Sequence, residues 1–323
     1  MLVSNSRTVT YSPAYTIVPT YECFNRCTYC NFRTDPGHSP WLTLKEAQSQ
    51  LKPLREQGVC EILILSGEVH PRSSRREEWF GRIYALGELA LLMGFLPHTN
   101  VGPLSFEEMK ALKQVNVSMG LMLEQLTSQL LQTVHRHAPS KVPGVRLQQL
   151  EWAGELQIPF TTGLLLGIGE TQEDWWETLD AIAQLHLTYG HIQEVILQPY
   201  NPGSQETWDA PAFDSHQMPE VIAKARQILP PDITIQIPPN LVGHPQEVSL
   251  RGCLEAGARD LGGIGPKDEV NPDYPHPQIQ QLKEVLEPTE WELVPRLPIY
   301  PKYDSWLPPR LQVAVEQWRM RIA

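Results

Sequence analysis

The chain has 323 residues and a formal net charge of −11, with 37 Asp and Glu against 26 Lys and Arg. That balance excludes a nonspecific nucleic-acid binder, which needs a basic surface. Five cysteines in a chain this long, behind an N-terminus with no apolar leader core, argue against a secreted disulfide scaffold. Hydrophobic residues at 41% supply an ample core. The longest apolar stretch, residues 83–97, contains Glu88 and is too short to span a bilayer, so a cytoplasmic protein without a membrane partner is expected.

Short apolar runs and amphipathic segments then alternate along the chain. Strands are predicted at 15–20, 61–66, 95–100, 116–123, 160–166, 194–199 and 233–237, with a candidate eighth at 261–264. Helices are predicted at 44–57, 75–93, 106–113, 126–137, 145–156, 173–187 and 217–228, with a short one at 247–256 and a closing one at 311–322. This is the pattern of a parallel α/β fold. It predicts one domain over residues 1–323, a TIM-type (βα) barrel of full or nearly full eight strands. The barrel core is expected over about 12–265 and a C-terminal extension, ending in a helix, over about 266–323. Many of the 30 prolines follow residue 196, which predicts much ordered but irregular chain there. In such a barrel the chemistry-bearing residues sit at the C-terminal ends of the strands.

The first strand runs straight into C-F-N-R-C-T-Y-C, in which Cys23, Cys27 and Cys30 have the spacing C-x3-C-x2-C. Three thiolates in eight residues hold three irons of a cubane iron–sulfur cluster and leave the fourth iron without a protein ligand, open to a bound molecule. The competing reading is structural zinc with His38 as fourth ligand, in a binding protein rather than an enzyme. Closed zinc sites usually show paired knuckles, whereas C-x2-C occurs once here and Cys60 and Cys253 are isolated.

Further candidates end later strands. Ser66, Gly67 and Glu68 close the second, and glycine there lets the backbone approach a ligand. His98 and Asn100 close the third in P-H-T-N. Glu124 follows the fourth, as a ligand-binding carboxylate or a helix N-cap acid. Gly163 to Thr171 reads G-L-L-L-G-I-G-E-T, with Glu170 more suited to organising the loop; no G-K-S or G-K-T follows, so it is not a phosphate loop. Gln198, Tyr200 and Asn201 end the sixth strand in Q-P-Y-N-P. Asp260 precedes the paired glycines Gly262 and Gly263, and Asn271 and Asp273 follow them. Polar groups at a barrel mouth suit a polyhydroxylated or heterocyclic substrate, although each alone also suits loop hydrogen bonding.

Taken together, these motifs resemble the radical S-adenosylmethionine (SAM) superfamily. C-F-N-R-C-T-Y-C-N-F-R, P-H-T-N-V-G-P-L-S, L-L-L-G-I-G-E-T and D-L-G-G-I-G-P followed by V-N-P resemble most closely the family of the first subunit of FO synthase, the 7,8-didemethyl-8-hydroxy-5-deazariboflavin synthases of coenzyme F(420) biosynthesis. The resemblance covers nearly the whole chain. It implies a [4Fe–4S] cluster on Cys23, Cys27 and Cys30, with SAM on the fourth iron cleaved to a 5'-deoxyadenosyl radical. It implies SAM contacts from Tyr29, Gly67, Glu68, Glu124, Gly167 and Gln198: Tyr29 and the glycine loop beside adenine, the S-G-E end near the methionine amino group, and Glu124 at the ribose hydroxyls or the ammonium. Candidate substrate contacts are His98, Asn100, Tyr200, Asp260 and Asn271. The implied substrate is a hydroxybenzyl ribityl-uracil adduct, cyclised with loss of ammonia; the implied partners are FO synthase subunit 2 and a reducing electron donor. The second-strand motif departs from the family pattern, reading S-G-E-V-H-P, which leaves Val69 and His70 without a role. The nearest rivals are sister radical SAM enzymes: the hydroxybenzyl-transferring subunit, a futalosine-pathway enzyme or a biotin synthase-like protein.

Overall fold

The computed structural model describes residues 7–242 and 250–322. Among the described residues nine parallel strands form one sheet: β1 (Arg7–Ile17), β2 (Glu61–Leu65), β3 (Leu96–Asn100), β4 (Ser118–Gly120), β5 (Phe160–Leu166), β6 (Ile192–Pro199), β7 (Thr234–Gln236), β8 (Asp260–Ile264) and β9 (Trp291–Pro295). The first eight follow one another around the sheet and close through β1 pairing with both β8 and β2. The result is the eight-stranded parallel barrel expected from the sequence. β5, F-T-T-G-L-L-L, is buried at every position, as a strand covered on both faces must be.

β1 is longer than predicted and serves two partners. Its second half, Ala14 to Ile17, pairs with β2; its first half, Arg7 to Tyr11, pairs with β9, which the sequence reading missed. Helices α1 (Leu44–Leu51), α2 (Arg76–Leu92), α3 (Phe106–Leu112), α4 (Pro143–Glu155), α5 (Gln172–Tyr189), α6 (Met218–Ile228) and α7 (Leu250–Ala256) cover the barrel. Their starts are chemically marked. Thr43 with Glu46, Ser105 with Glu108 and Thr171 with Asp174 form reciprocal capping boxes, and Gly190 at φ +69° ends α5. Part of the short helix expected at 247–256 lies outside the described residues; the remainder is α7.

One predicted helix is corrected. Residues 126–137 form only a 3-10 turn, Ser128–Gln132, followed by irregular chain. Carbonyls of this segment are used elsewhere: Val134 and His137 accept from the backbone N–H groups of Thr28 and Arg26 at 3.1 and 2.7 Å.

The C-terminal extension, with α8 (Ile279–Leu286), β9 and α9 (Pro309–Ile322), plugs one end of the barrel. Leu297, Ile299, Tyr303, Leu311, Val315 and Trp318 pack into one buried cluster with Cys60, Leu96 and Val117. The last three precede or begin β2, β3 and β4, so the plugged end is the N-terminal mouth, leaving the C-terminal mouth for chemistry.

Candidate active site

The loop between β1 and α1 carries the three cysteines, and a buried knot holds it in shape. Glu22 accepts from the backbone N–H of Gly37 (2.8 Å), the Trp41 indole (3.0 Å) and Arg75 (2.8 Å). Burial works against its ionisation, but these donors overcome it and hold the carboxyl below its usual range. Gly67, at the end of β2, lies directly beneath this loop: a Cβ there would sit 2.2 Å from the Glu22 carbonyl oxygen. The absence of a side chain lets Gly67 N–H donate to Thr20 (2.8 Å) and Phe24 N–H donate to the Glu68 carbonyl (3.0 Å). The second strand end is thereby fastened to the cysteine loop.

Cys23, Cys27 and Cys30 are half-buried. Burial pushes the Cys23 thiol up to about 11 and Cys27 up to about 12, and the mutual repulsion of the three sulfurs acts in the same direction. Among the described residues no three His, Cys, Asp or Glu side chains converge on a single-ion site. A cubane makes a different demand, with one thiolate at each of three corners rather than three on one ion.

Beside the loop stands a ring of buried charge. Glu124 takes φ +66°, a left-handed conformation rare outside glycine. Its carboxylate pairs with Lys141. Burial alone would raise its pKa; Lys141 and Arg146 outweigh that and hold it below 4.5. Arg146, 2% exposed, donates to the Met122 carbonyl and lies 3.5 Å from Glu68, which also accepts from Asn25 at 2.9 Å. The Tyr29 hydroxyl meets Nε2 of His135 at 2.9 Å. Gly167, at φ +90°, and Ile168 donate their N–H groups to Glu170, which also accepts from the Trp175 indole at 2.6 Å; Glu170 organises the loop, as its sequence position suggested.

These residues border an upper chamber of about 320 Å³, lined by Cys30, Tyr29, Glu68, Glu124 and Tyr200 among others. A lower chamber of about 180 Å³ lies within the barrel, lined by Glu61, His98, Glu194, Gln236 and Arg296 among others. Asn100, Met122, Gln198 and Asn271 line both, so the two are continuous. Loops above them are cross-tied: Tyr21 donates to Glu269 (2.7 Å), Asn31 to Asp273 (2.9 Å) and Asn240 to Asp268 (2.8 Å).

Residues 17–182, from the end of β1 through most of α5, match the model of the radical SAM superfamily. Over 310 residues, 96% of this chain and 91% of the relative, the sequence is 72% identical to a 7,8-didemethyl-8-hydroxy-5-deazariboflavin synthase of Nostoc sp.. A protein of the same name from Trichodesmium erythraeum is 64% identical over 98% of this chain and 99% of its own. This chain belongs to the radical SAM superfamily, in the family of those synthases. The radical SAM fold extends to distant structures: the FeFe-hydrogenase maturase HydG from Carboxydothermus hydrogenoformans superposes with a TM-score of 0.74 at 18% identity, over 98% of this chain and 78% of its own. Methylornithine synthase (PylB) gives 0.62 at 16% identity, over 81% and 74%.

The radical SAM family implies SAM and a [4Fe–4S] cluster. The donor set here fits a cluster. Cys23 and Cys27, whose ionisation burial disfavours, stand with Cys30 as three neighbouring thiols that become thiolates when cationic iron takes up their charge. As a radical SAM protein, the chain is an enzyme. Among the described residues no helix is long and apolar enough to cross a membrane.

Of the residues singled out in the sequence, Tyr29, Glu68, Glu124, Tyr200, Asn100, Gln198 and Asn271 line the upper chamber, and His98 the lower. Gly67 lies under the cysteine loop rather than on a chamber wall. Tyr200 gives its hydroxyl to Glu206 at 2.5 Å. Asp260 is fully buried at the barrel floor, where Arg296 grips both its oxygens at 2.5 and 2.7 Å. His70 stacks edge-on against Phe24, ring centroids 5.1 Å apart, and its Nδ1 accepts from Arg72 N–H. Sequence reasoning missed Lys141, Arg146, Glu61, Glu194 and Arg296. The only signal for the two glutamates was a charge directly before an apolar run, in E-I-L-I-L and E-V-I-L.

Proposed function

We propose that this radical SAM enzyme converts 5-amino-5-(4-hydroxybenzyl)-6-(D-ribitylimino)-5,6-dihydrouracil to 7,8-didemethyl-8-hydroxy-5-deazariboflavin (FO), releasing ammonia, methionine and 5'-deoxyadenosine in coenzyme F(420) biosynthesis. The observation that carries this reading is the continuous cavity running from Cys30 down to the polar barrel floor. The name shared by relatives 72% and 64% identical over nearly the whole chain supports it. The adduct would come from the hydroxybenzyl-transferring second subunit, and an external donor would supply the electron.

Cys23, Cys27 and Cys30 would hold the cluster, which with SAM supplies a hydrogen-abstracting 5'-deoxyadenosyl radical. In this reading Tyr29, Glu68, Glu124, Gly167 and Gln198 bind SAM, with Gly67 holding the strand end against the loop. Glu124, kept ionised by Lys141 and Arg146, can accept from ribose hydroxyls or face the SAM ammonium. A Cβ at Gly167 would stand 2.9 Å from the Phe213 ring, so its bare backbone lets that ring pack against the loop. His98, Asn100, Tyr200 and Asn271 face the substrate. Asp260, engaged by Arg296, shapes the floor beneath it. The cross-ties of Asn31, Asp273, Tyr21 and Glu269 help to keep water and oxygen from the radical.

The test is anaerobic. The reconstituted, reduced protein is given SAM and the preformed adduct, and separately SAM with tyrosine and the ribityl-amino-uracil. Deazaflavin fluorescence with 5'-deoxyadenosine from the adduct alone is the expected result. 5'-Deoxyadenosine without the fluorophore would move the substrate to that of a sister enzyme.

A further inference from the structure

The lower chamber has an unusual balance of hydrogen-bonding groups. Ser118 donates its only hydroxyl proton to the Pro298 carbonyl at 2.5 Å, because a carbonyl can only accept. The 2.7 Å contact between Ser118 Oγ and His98 Nδ1 therefore has Nδ1–H as donor. Burial, reinforced by the charge of Arg296, lowers the His98 pKa to about 3, so the ring is neutral. A neutral ring protonated at Nδ1 presents Nε2 as a bare acceptor, and His98 lines the chamber at 8% exposure. Nε2 lies above Gly120, 2.9 Å from where a Cβ would stand; any larger residue would fill that space.

Two carboxyl groups face the same space. Glu61, 6% exposed, and Glu194, 3% exposed, both line it, and Glu194 already accepts from Thr161 (3.0 Å), Tyr300 (3.1 Å) and Arg296. Among the described residues the one Lys or Arg lining it, Arg296, has four of its five N–H groups engaged. Nε and Nη2 hold Asp260, Nη1 donates to the Leu297 carbonyl at 3.1 Å, and Nη2 also reaches Glu194. A phosphate or carboxylate entering here would meet carboxyl groups, a lone pair and a cation whose charge Asp260 and Glu194 already balance. A neutral chain carrying several O–H donors would satisfy the acceptors.

We infer that the lower chamber is the subsite for the polyhydroxylated chain of the substrate, with His98 Nε2 and Glu61 accepting from its hydroxyl groups. This rests on the function proposed above and adds an orientation. The hydroxylated chain points down to the plugged end, and the ring-forming portion stays at the junction of the chambers, near Asn100, Gln198 and Asn271 on the cysteine side.

The test is equilibrium binding, read anaerobically on the cluster-loaded protein by quenching of deazaflavin fluorescence. The ligands are FO, an FO analogue with methyl in place of the ribityl chain, and the 5'-phosphate of FO. FO should bind at least roughly tenfold more tightly than the methyl analogue, because each hydrogen bond to a buried acceptor is worth a factor of that order. The phosphate should bind at least roughly tenfold more weakly than FO. His98→Phe and Glu61→Gln should bring the FO-to-methyl ratio to within about twofold of unity, with binding of the methyl analogue unchanged.

Equal binding of FO and the methyl analogue by the unaltered protein would overturn the inference without any variant. So would tighter binding of the phosphate, or full discrimination retained in both variants. If neither FO nor its analogue binds while SAM is still cleaved on reduction, the deazaflavin reading itself fails and the subsite with it.

Discussion

Two residues show how the site stores its demands in single side chains. Glu124 holds a left-handed backbone at φ +66°, a conformation that costs a non-glycine residue on the order of 1–3 kcal/mol. It is kept there because its carboxylate is fixed between Lys141 and Arg146. Removing one member of a buried pair leaves the other uncompensated, at roughly 3–5 kcal/mol. Glu124→Gln is therefore expected to lower urea stability by about that amount, and the double variant Glu124→Gln, Lys141→Met should recover part of it, a non-additivity that a double-mutant cycle measures. The folded pKa of Glu124 lies below its ordinary 4.5, so its contribution is fully present above pH 4.5 and is lost as pH falls through the folded value. Additive losses would refute the coupling. Cys27 makes the complementary case. With all three thiols present the protein should take up about four irons and four sulfides on anaerobic reconstitution. Cys27→Ser should retain less than roughly half of that and lose the broad visible absorbance of the cluster. A full complement of iron in the variant would remove Cys27 from the ligand set.

Among the elements, β9 and the segment after it matter more than their position near the end of the chain suggests. β9 extends the sheet beside the first half of β1, and Arg296, the residue after it, enters the barrel floor among Asp260, Glu194 and Glu61. Arg296→Met should cost roughly 3–5 kcal/mol in urea unfolding, because it leaves buried carboxyls without their cation. A loss below about 1 kcal/mol would show that these acids are neutral without it. None of this was visible in W-E-L-V-P, a short run whose strand character comes from a partner some 280 residues earlier in sequence. β2 and β5 were legible because buried strands carry apolar runs, here I-L-I-L and L-L-L. The misread helix at 126–137 has helix-forming residues, but the chain turns tightly there, with the N–H groups of Thr133 and His135 both donating to the Leu130 carbonyl. The strand-end residues were legible for the same reason as the strands, since the barrel rule assigns chemistry to those positions. Lys141 and Arg146 were not, because they reach the site from a 3-10 turn and from α4, where the chain has no strand end to mark them.

At the scale of the whole molecule, the interior is built to keep several titratable groups neutral, and this predicts how stability responds to acid. His98, His135 and His191 each have a folded pKa lowered to about 3, in each case mainly by burial. Unfolding returns them to about 6.5, so the unfolded chain binds more protons between these values and stability falls as pH drops below 6.5. Glu194 works in the opposite sense. Burial, only partly offset by Arg296, raises it from 4.5 to about 7, so the folded state holds a proton that the unfolded state has released, and stability rises as pH falls through that window. Between pH 6.5 and about 5.5 each histidine contributes a loss of about 1 kcal/mol and Glu194 a gain of about the same size, a net loss of about 2 kcal/mol. Urea unfolding of the cluster-free protein at the two pH values checks this. His191 offers the cleanest control. It is fully buried, immediately precedes β6, and lines neither chamber. His191→Phe should therefore flatten the pH dependence by about half while leaving FO binding unchanged, and an unaltered slope would mean that acid sensitivity arises elsewhere.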